Sequence, residues 1–413
     1  MKSKLISFIQ PSRNTLKYLK WSYESIRKNL SPDHEICWAD DASTDGTWEW
    51  MQEIAKKDSR VKIYRNEGPE RLGHTILYDT LVNKYATNDI VMIFHSDMYA
   101  CPDMDIEMLK YIKPGIVVSA TRIEPPLHPD GPEKILKDFG IEPEEFKEQE
   151  LLRWVETFGD ISESETTNGI FAPWAIYKDD FQSIGGHDPL YAPQSKEDSD
   201  IFNRFVLAGY DLKQTWRGFV YHMTCRGSRF KDGAFRNPAG QVFMDGRESS
   251  EWLAQNLRST RNFIRKWGHM VKHDEMMKPI IPPKYDVGFV AENCNTNILK
   301  ELEPWCSDIY GDWVGHKGYG VNKYIEEEQP NTQFDLKKKI HSYHIEASND
   351  VIVEFDCTKL TPQNFQVIVN LSDILKDSGE IGEMEYDIFK ITINKLKTYE
   401  KDLIEINKIR GMV

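Results

Sequence analysis

Residues 90–99 read IVMIFHSDMY: five apolar residues without a polar break, then a histidine, a serine and an aspartate. An uninterrupted apolar run of this length suits a strand buried on both faces, the usual state of a central strand in a parallel sheet. Whatever follows such a strand lies at its carboxyl end, where open α/β sheets place their ligands. Asp97 is therefore either a ligand-holding carboxylate or the start of a loop, and its surroundings decide.

Upstream, KLISFIQ (4–10) is a strand candidate closed by Pro11, followed by the amphipathic stretch TLKYLKWSYESIRKNL. EICWA is a second strand, TWEWMQEIAKK a helix, VKIYR a third strand and HTILYDTLVNKYA a helix leading into IVMIF. Strands alternating with helices four times imply a parallel sheet covered by helices, because parallel neighbours need a crossover connection. Downstream, GIVVSATRI, FAPWAIY and DLKQTWRGFVYHM continue as strands. Between the first two of these, EKILKDFGIEPEEFKEQELLRWVETFGD reads as acidic helices, a lid or an acceptor wall.

The chain has 413 residues, which predicts two units and a small connecting third: an α/β domain over 1–230, a helical extension and linker over 231–285 around KPIIPPKYD, and a smaller α+β domain over 286–413. The formal charge of -14 argues against a nucleic-acid partner. No apolar run approaches membrane-spanning length and MKSKLISFIQP is too short for a signal peptide, so a soluble, cytoplasmic protein is expected. Six cysteines (Cys37, Cys101, Cys225, Cys294, Cys306 and Cys357) without CxxC pairs read as reduced core thiols.

Four segments carry chemistry. DDASTDGT (40–47) spaces its acids like a calcium loop, but its twelfth position is Gln52 and it follows a strand. As a strand-to-helix turn it offers Asp41 as acceptor for the N–H of a pyrimidine base, with Ser43 and Asp45 as caps. In HSD (95–97), Asp97 is a hard oxygen ligand for a phosphate-bridging cation, with Ser96 beside it. KEDSD (196–200) offers Asp198 as a general base for a substrate hydroxyl and Glu197 to shape its pocket, against the plainer reading of favourable first-turn charge. His222, ending QTWRGFVYHM, is either a metal donor or a hydrogen-bonded structural residue.

Taken in order, PSRN, DDASTDGT, HSD, IGGHDPLY, KEDSDIFNRFVLAGY and VYH resemble the family 2 glycosyltransferases with the GT-A fold, over roughly residues 4–225. The resemblance implies an α/β GT-A type, mostly parallel nucleotide-binding sheet flanked by helices. It assigns nucleotide binding to Pro11, Asp41, Arg71 and Ser96, metal binding to Asp97 and His222, and catalysis to Asp198 with Glu197. The family's Asp-x-Asp maps onto His95, Ser96 and Asp97, so the first acid is a histidine, which could contact the sugar or diphosphate instead. Trp174 is a candidate sugar platform or a core residue. The implied cofactor is Mn2+ or Mg2+. The implied reaction is inverting transfer from a nucleotide sugar, UDP-sugar favoured, to a hydroxyl of a glycan or other acceptor, as in polysaccharide biosynthesis. A non-catalytic glycan- or nucleotide-binding protein and a sugar nucleotidyltransferase are the alternatives; the latter wants a Gly-rich first loop, and PSRNTLKYL has none. Residues 286–413 resemble nothing; they are open between acceptor binding, a homo-oligomer contact and partner docking, with EPWCSDIYGDWVGHKGYG a carbohydrate surface or a packed contact.

Overall fold

The computed structural model describes residues 4–161, 165–224, 234–244, 249–313 and 319–406. Cys225, the first part of the basic stretch 226–240 and positions 314–318 of the aromatic cluster lie outside them. The chain divides into two compact units, one of residues 1–253 with 273–279 and one of 254–272 with 280–413.

In the first unit, β1 (Ile6–Ser12), β2 (Glu35–Asp41), β3 (Val61–Asn66) and β4 (Ile90–Ile93) alternate with helices Leu16–Asn29, Thr47–Lys57 and Gly73–Lys84. They pair in parallel in the order β3-β2-β1-β4. The sheet is extended by β5 (Met98–Ala100), β6 (Ile116–Glu124), β7 (Lys134–Leu136), β8 (Thr166–Thr167), β9 (Trp174–Tyr177) and β10 (Asp211–His222), and β11 (Ala234–Arg236) pairs with β12 (Val242–Met244) separately. β9 is antiparallel to both β4 and β6, and β10 is parallel to β6, so the long strands form a mostly parallel sheet interrupted once. All four residues of β4 are buried, as the apolar run requires.

Two local expectations change. β1 does not stop at Pro11 but runs to Ser12, because Pro11 lies beyond the last β1–β4 pair, Ile9 with Ile93, and keeps only β2 as neighbour, where no second ladder needs its missing N–H. The stretch 133–160 is helical only in its second half: β7 and a short turn at Pro143–Glu145 precede the helix Glu148–Ile161. That helix is no free lid, since Leu151, Trp154 and Phe158 pack with Phe139 and Phe219 of the core.

The second unit holds β13 (Val287–Glu292), β14 (Asp308–Gly311), β15 (Ile340–Ser342), β16 (Val351–Asp356), β17 (Gly382–Tyr386) and β18 (Phe389–Ile393), in the order β15-β14-β13-β16-β18-β17. The first four are mutually parallel, and the hairpin β17–β18 closes one side antiparallel. From residue 254 on, the helix Ser250–Trp267 belongs to this unit rather than to a separate linker. The reason is a buried ion cluster: Glu303, fully enclosed, accepts from Arg265 at 2.6 Å, Tyr324 at 2.8 Å and Arg261 at 3.3 Å, and pairs with Lys339 at 2.8 Å. Of the aromatic cluster, Trp305 and Trp313 are half-buried against this unit's own core, and the Trp313 indole donates to the His341 carbonyl, which makes them packing residues.

Candidate active site

The site is assembled at the carboxyl ends of β1, β4 and β6 and at the end of β10. The turn after β4 is held from β1: the buried Gln10 amide donates to the His95 carbonyl at 3.0 Å and to Ser22 Oγ at 2.8 Å, while its oxygen accepts from the Trp38 indole at 2.7 Å. The Asp97 carbonyl accepts from Met223 N at 3.0 Å, tying the same turn to the end of β10. These two anchors bring ligand atoms of His95, Asp97 and His222 within 4.8 Å of one another.

His222 stands between two carboxylates, with Nε2 3.4 Å from Asp97 Oδ1 and Nδ1 3.0 Å from Glu124 Oε1. Burial pulls its basicity down, but the charges of Asp97 and Glu124 outweigh that and push it up to about 9. His95 goes the other way: burial, reinforced by the neighbouring His222, pulls it down to about 4 and keeps its imidazole neutral. Glu124 is anchored in turn by Arg122 at 2.9 Å and Lys134 at 3.3 Å. Burial alone would raise its carboxyl; His222 and Arg122 hold it well below the usual carboxylate range. Arg122 lies over the Phe171 ring at 3.8 Å.

A cavity of about 550 Å³ opens over this cluster. Of the expected residues, Pro11, Arg71, His95, Ser96, Asp97, Glu197 and His222 line it. Ser195 and Lys196 both take positive φ, at 83° and 73°, and this left-handed pair turns the chain into the helix Glu197–Leu207 with Glu197 at its first position. Burial, then the charge of Asp198, raises the Glu197 carboxyl. Burial raises Asp198 as well; Glu197 lines the cavity, and Asp198, half-buried, follows it in the first turn of the helix. Both acids are near the site: the Tyr78 phenol in the cavity wall is pushed well up by burial and then by Asp198, Glu197 and Asp97.

Asp41 and Trp174 are placed differently from expectation. Asp41 is 2% exposed, and both its oxygens are engaged: Oδ1 accepts from Asn66 Nδ2 at 2.7 Å and Leu72 N at 3.0 Å, and Oδ2 from Gly73 N at 2.9 Å. It clamps the 66–73 loop, whose Arg71 reaches Gln194 Oε1 at 2.6 Å. Trp174 is completely buried against Phe181, Phe202 and Phe205; it is a core residue, because β9 lies inside the sheet between β4 and β6, and it cannot serve as a sugar platform. The glycine and arginine pattern around the KEDSD segment proves to be a brace. Arg204, fully buried, binds Asp200 at 2.8 Å and the Ile184 and Gly186 carbonyls, and a Cβ on Gly186, whose φ is 69°, would strike the Asp79 carboxylate.

Sequence reasoning missed Glu124, Arg122, Lys134 and Tyr78. Arg122 and Glu124 carried a readable signal, since two charges at i, i+2 share one face of an otherwise apolar strand. The other two carried none.

Residues 7–160 match the family model described as Glycosyl transferase family 2. This is the family that the motifs resemble, and the resemblance is borne out over that stretch; the match ends before the 184–222 segment. No curated protein sequence matches the chain. Among solved structures, the chain is similar to GalNAc-T7 with UDP, GalNAc and Mn2+ (15% identity, 53% of this chain and 43% of that one, TM-score 0.41). It is similar to the mannosyltransferase PcManGT from Pyrobaculum calidifontis in complex with GDP-Man and Mn2+ (18%, 53% and 56%, TM-score 0.37). It is likewise similar to S. aureus TarS 1-349 in complex with UDP (15%, 52% and 60%, TM-score 0.39). The chain thus spans between 43% and 60% of the length of these structures. No helix among the described residues is long and apolar enough to cross a membrane.

Proposed function

We propose that this chain is a metal-dependent, inverting glycosyltransferase that moves a sugar from a nucleotide-sugar donor, a UDP-sugar favoured, to a hydroxyl of a glycan or other acceptor. The observation that carries the reading is the cluster of His95, Asp97 and His222 in one cavity with the raised carboxyl of Glu197. The donor set fits a divalent cation: two imidazoles and one carboxylate with ligand atoms within 4.8 Å, one of the imidazoles kept neutral by burial. Two nitrogen donors suit Mn2+ better than Mg2+, which prefers an all-oxygen shell. When bound, the cation supplies charge neutralisation for a departing nucleoside diphosphate.

The chain's own residues do the rest. Arg71, in the cavity wall and braced by Gln194, offers a cation to the diphosphate. Glu124 holds Nδ1 of His222 and so aims Nε2 at the position shared with Asp97. Glu197 takes the proton from the attacking hydroxyl; a carboxyl raised toward neutrality is a stronger base than an ordinary one, and such a base is worth on the order of 10² to 10⁴ in rate. Attack from the face opposite the diphosphate inverts the anomeric centre. Asp198, half-buried beside Glu197, raises its neighbour's proton affinity by like charge.

Incubation of the chain with a panel of nucleotide sugars, Mn2+ and candidate acceptors, with nucleoside diphosphate release as readout, tests this. Glu197→Gln should keep donor binding and lose transfer by at least about a hundredfold. Full transfer by that variant with loss in Asp198→Asn would return the base role to Asp198. Turnover insensitive to chelator would remove the cation from the reading.

A further inference from the structure

The second unit contains a cavity of about 460 Å³, within the usual range of small-molecule sites. It lies where Lys284 leads into β13, near the starts of β14 and β15, and its walls carry Arg265, Lys266, Lys284, Lys338 and Lys339 against Asp286, Asp308 and Asp335. Most of these charges are answered within the protein. Arg265 and Lys339 are spent on Glu303, Lys338 leans on Asp335 at 3.6 Å, and Asp308 accepts from His341 and Asn349, which also binds Asp286.

Lys284 is the exception. Among the described residues its ammonium makes no ion pair, and its single hydrogen bond is to the Arg265 carbonyl at 3.2 Å. Its stem packs over Gly268, where a Cβ would stand 3.1 Å from Lys284 Cδ. An ammonium has three donors, and a lone carbonyl at a helix end satisfies one. Burial, then the nearby Lys339, pushes Lys284 down to about 8, the direction expected of a cation short of negative charge.

We propose that this cavity binds a phosphate-bearing small molecule, with the phosphate on Lys284 and Lys338 and the organic part between Tyr285 and Phe334. Lysines, as point charges, suit a phosphate dianion, and the arginine fork that would favour a planar carboxylate is already occupied by Glu303. The aromatic walls give the rest of such a ligand an apolar surface.

Pyridoxal 5′-phosphate is a suitable probe, since its aldehyde condenses with an unprotonated amine, losing water, and borohydride reduces the imine to a stable secondary amine that peptide mapping locates. On the full chain, Lys284 should be labelled at least tenfold above the median lysine. Inorganic phosphate should protect it, and pyridoxal, which lacks the phosphate, should label it at least tenfold less. In Lys338→Ala, a change at an exposed side chain, the phosphate concentration for half-protection should rise at least threefold. Labelling spread evenly over lysines, equal labelling by pyridoxal, or unchanged protection in Lys338→Ala would each overturn the proposal. Because the readout is the labelled residue and not sugar transfer, it stands or falls independently of the reaction proposed for the first unit.

Discussion

Asp41 offers a sharp test of loop clamp against base ligand. In Asp41→Asn one carboxylate oxygen becomes an NH2. Oδ1 now accepts from Asn66 and Leu72, and Oδ2 from Gly73, so whichever way the amide is turned at least one donor faces a donor. The orphaned backbone N–H at a site 2% exposed costs about 1–3 kcal/mol, and losing charge assistance on the remaining bonds adds about 1 kcal/mol more. The sum, about 2–4 kcal/mol, corresponds to a shift of about 1 M in urea midpoint for the first unit. Hydrogen exchange of amides in β1 to β3 reads this unit separately from the second, which a single melting curve would not. Loosening of the 66–73 loop should also release Arg71 from Gln194 and weaken nucleotide binding, by a modest factor and in step with the lost protection. A variant with wild-type protection and a more than hundredfold loss of UDP affinity would refute the clamp and make Asp41 a contact to the base.

Three further outcomes are expected. Glu303→Gln leaves Arg265 and Lys339 without their buried counter-charge and should destabilise the second unit by about 3–5 kcal/mol in urea unfolding. Burial opposes ionisation of Glu303, but Lys339 and Arg265 hold its carboxyl well below the usual range; the stabilisation is therefore complete above the unfolded value of about 4.3 and is lost as pH falls below it, which acid titration of the wild type against the variant will read. His95→Asp replaces a nitrogen donor by a hard oxygen and should narrow the preference for Mn2+ over Mg2+ by roughly tenfold in calorimetric titration. Gly73→Ala forces a residue with φ of 75° to carry a Cβ that strikes the Pro193 backbone; a loss of about 3 kcal/mol in thermal stability is expected, with a raised KM for the donor because the same loop carries Arg71.

The elements that burial alone dictates were legible before any coordinates: the largely apolar stretches 6–9, 36–39 and 90–93 are strands, and the segments between the strands are the helices Leu16–Asn29, Thr47–Lys57 and Gly73–Lys84. What escaped depended on where side chains point. His95 joins Asp97 and His222 because Gln10, the fifth residue of β1, holds the turn by its carbonyl; nothing in HSD itself says which way that ring faces. The tryptophan of FAPWAIY reads equally as platform or core until β9 is found between β4 and β6. The helix Ser250–Trp267 reads as an extension because it precedes the proline-rich KPIIPPKYD, and nothing in its sequence shows that Arg261 and Arg265 are neutralised by Glu303 and Glu328.

The charges of the cavity also explain how a histidine can replace the first acid of an Asp-x-Asp pair. His95, neutral, contributes a lone pair and no charge. Glu124 is answered by Arg122 and Lys134, which leaves Asp97 as the one uncompensated anion among the three donors, and in the cation-free protein the proton held by His222 answers it. A divalent cation that displaces this proton therefore meets a donor set of net charge -1, weaker than two carboxylates by one full charge. The missing charge has to come from what the cation is there to hold, the phosphates of the donor. If His95, Asp97 and His222 hold a cation as proposed, a histidine at 95 would transfer part of the affinity from the protein to the substrate, so that cation and donor would each bind more tightly in the other's presence, as reciprocal coupling requires.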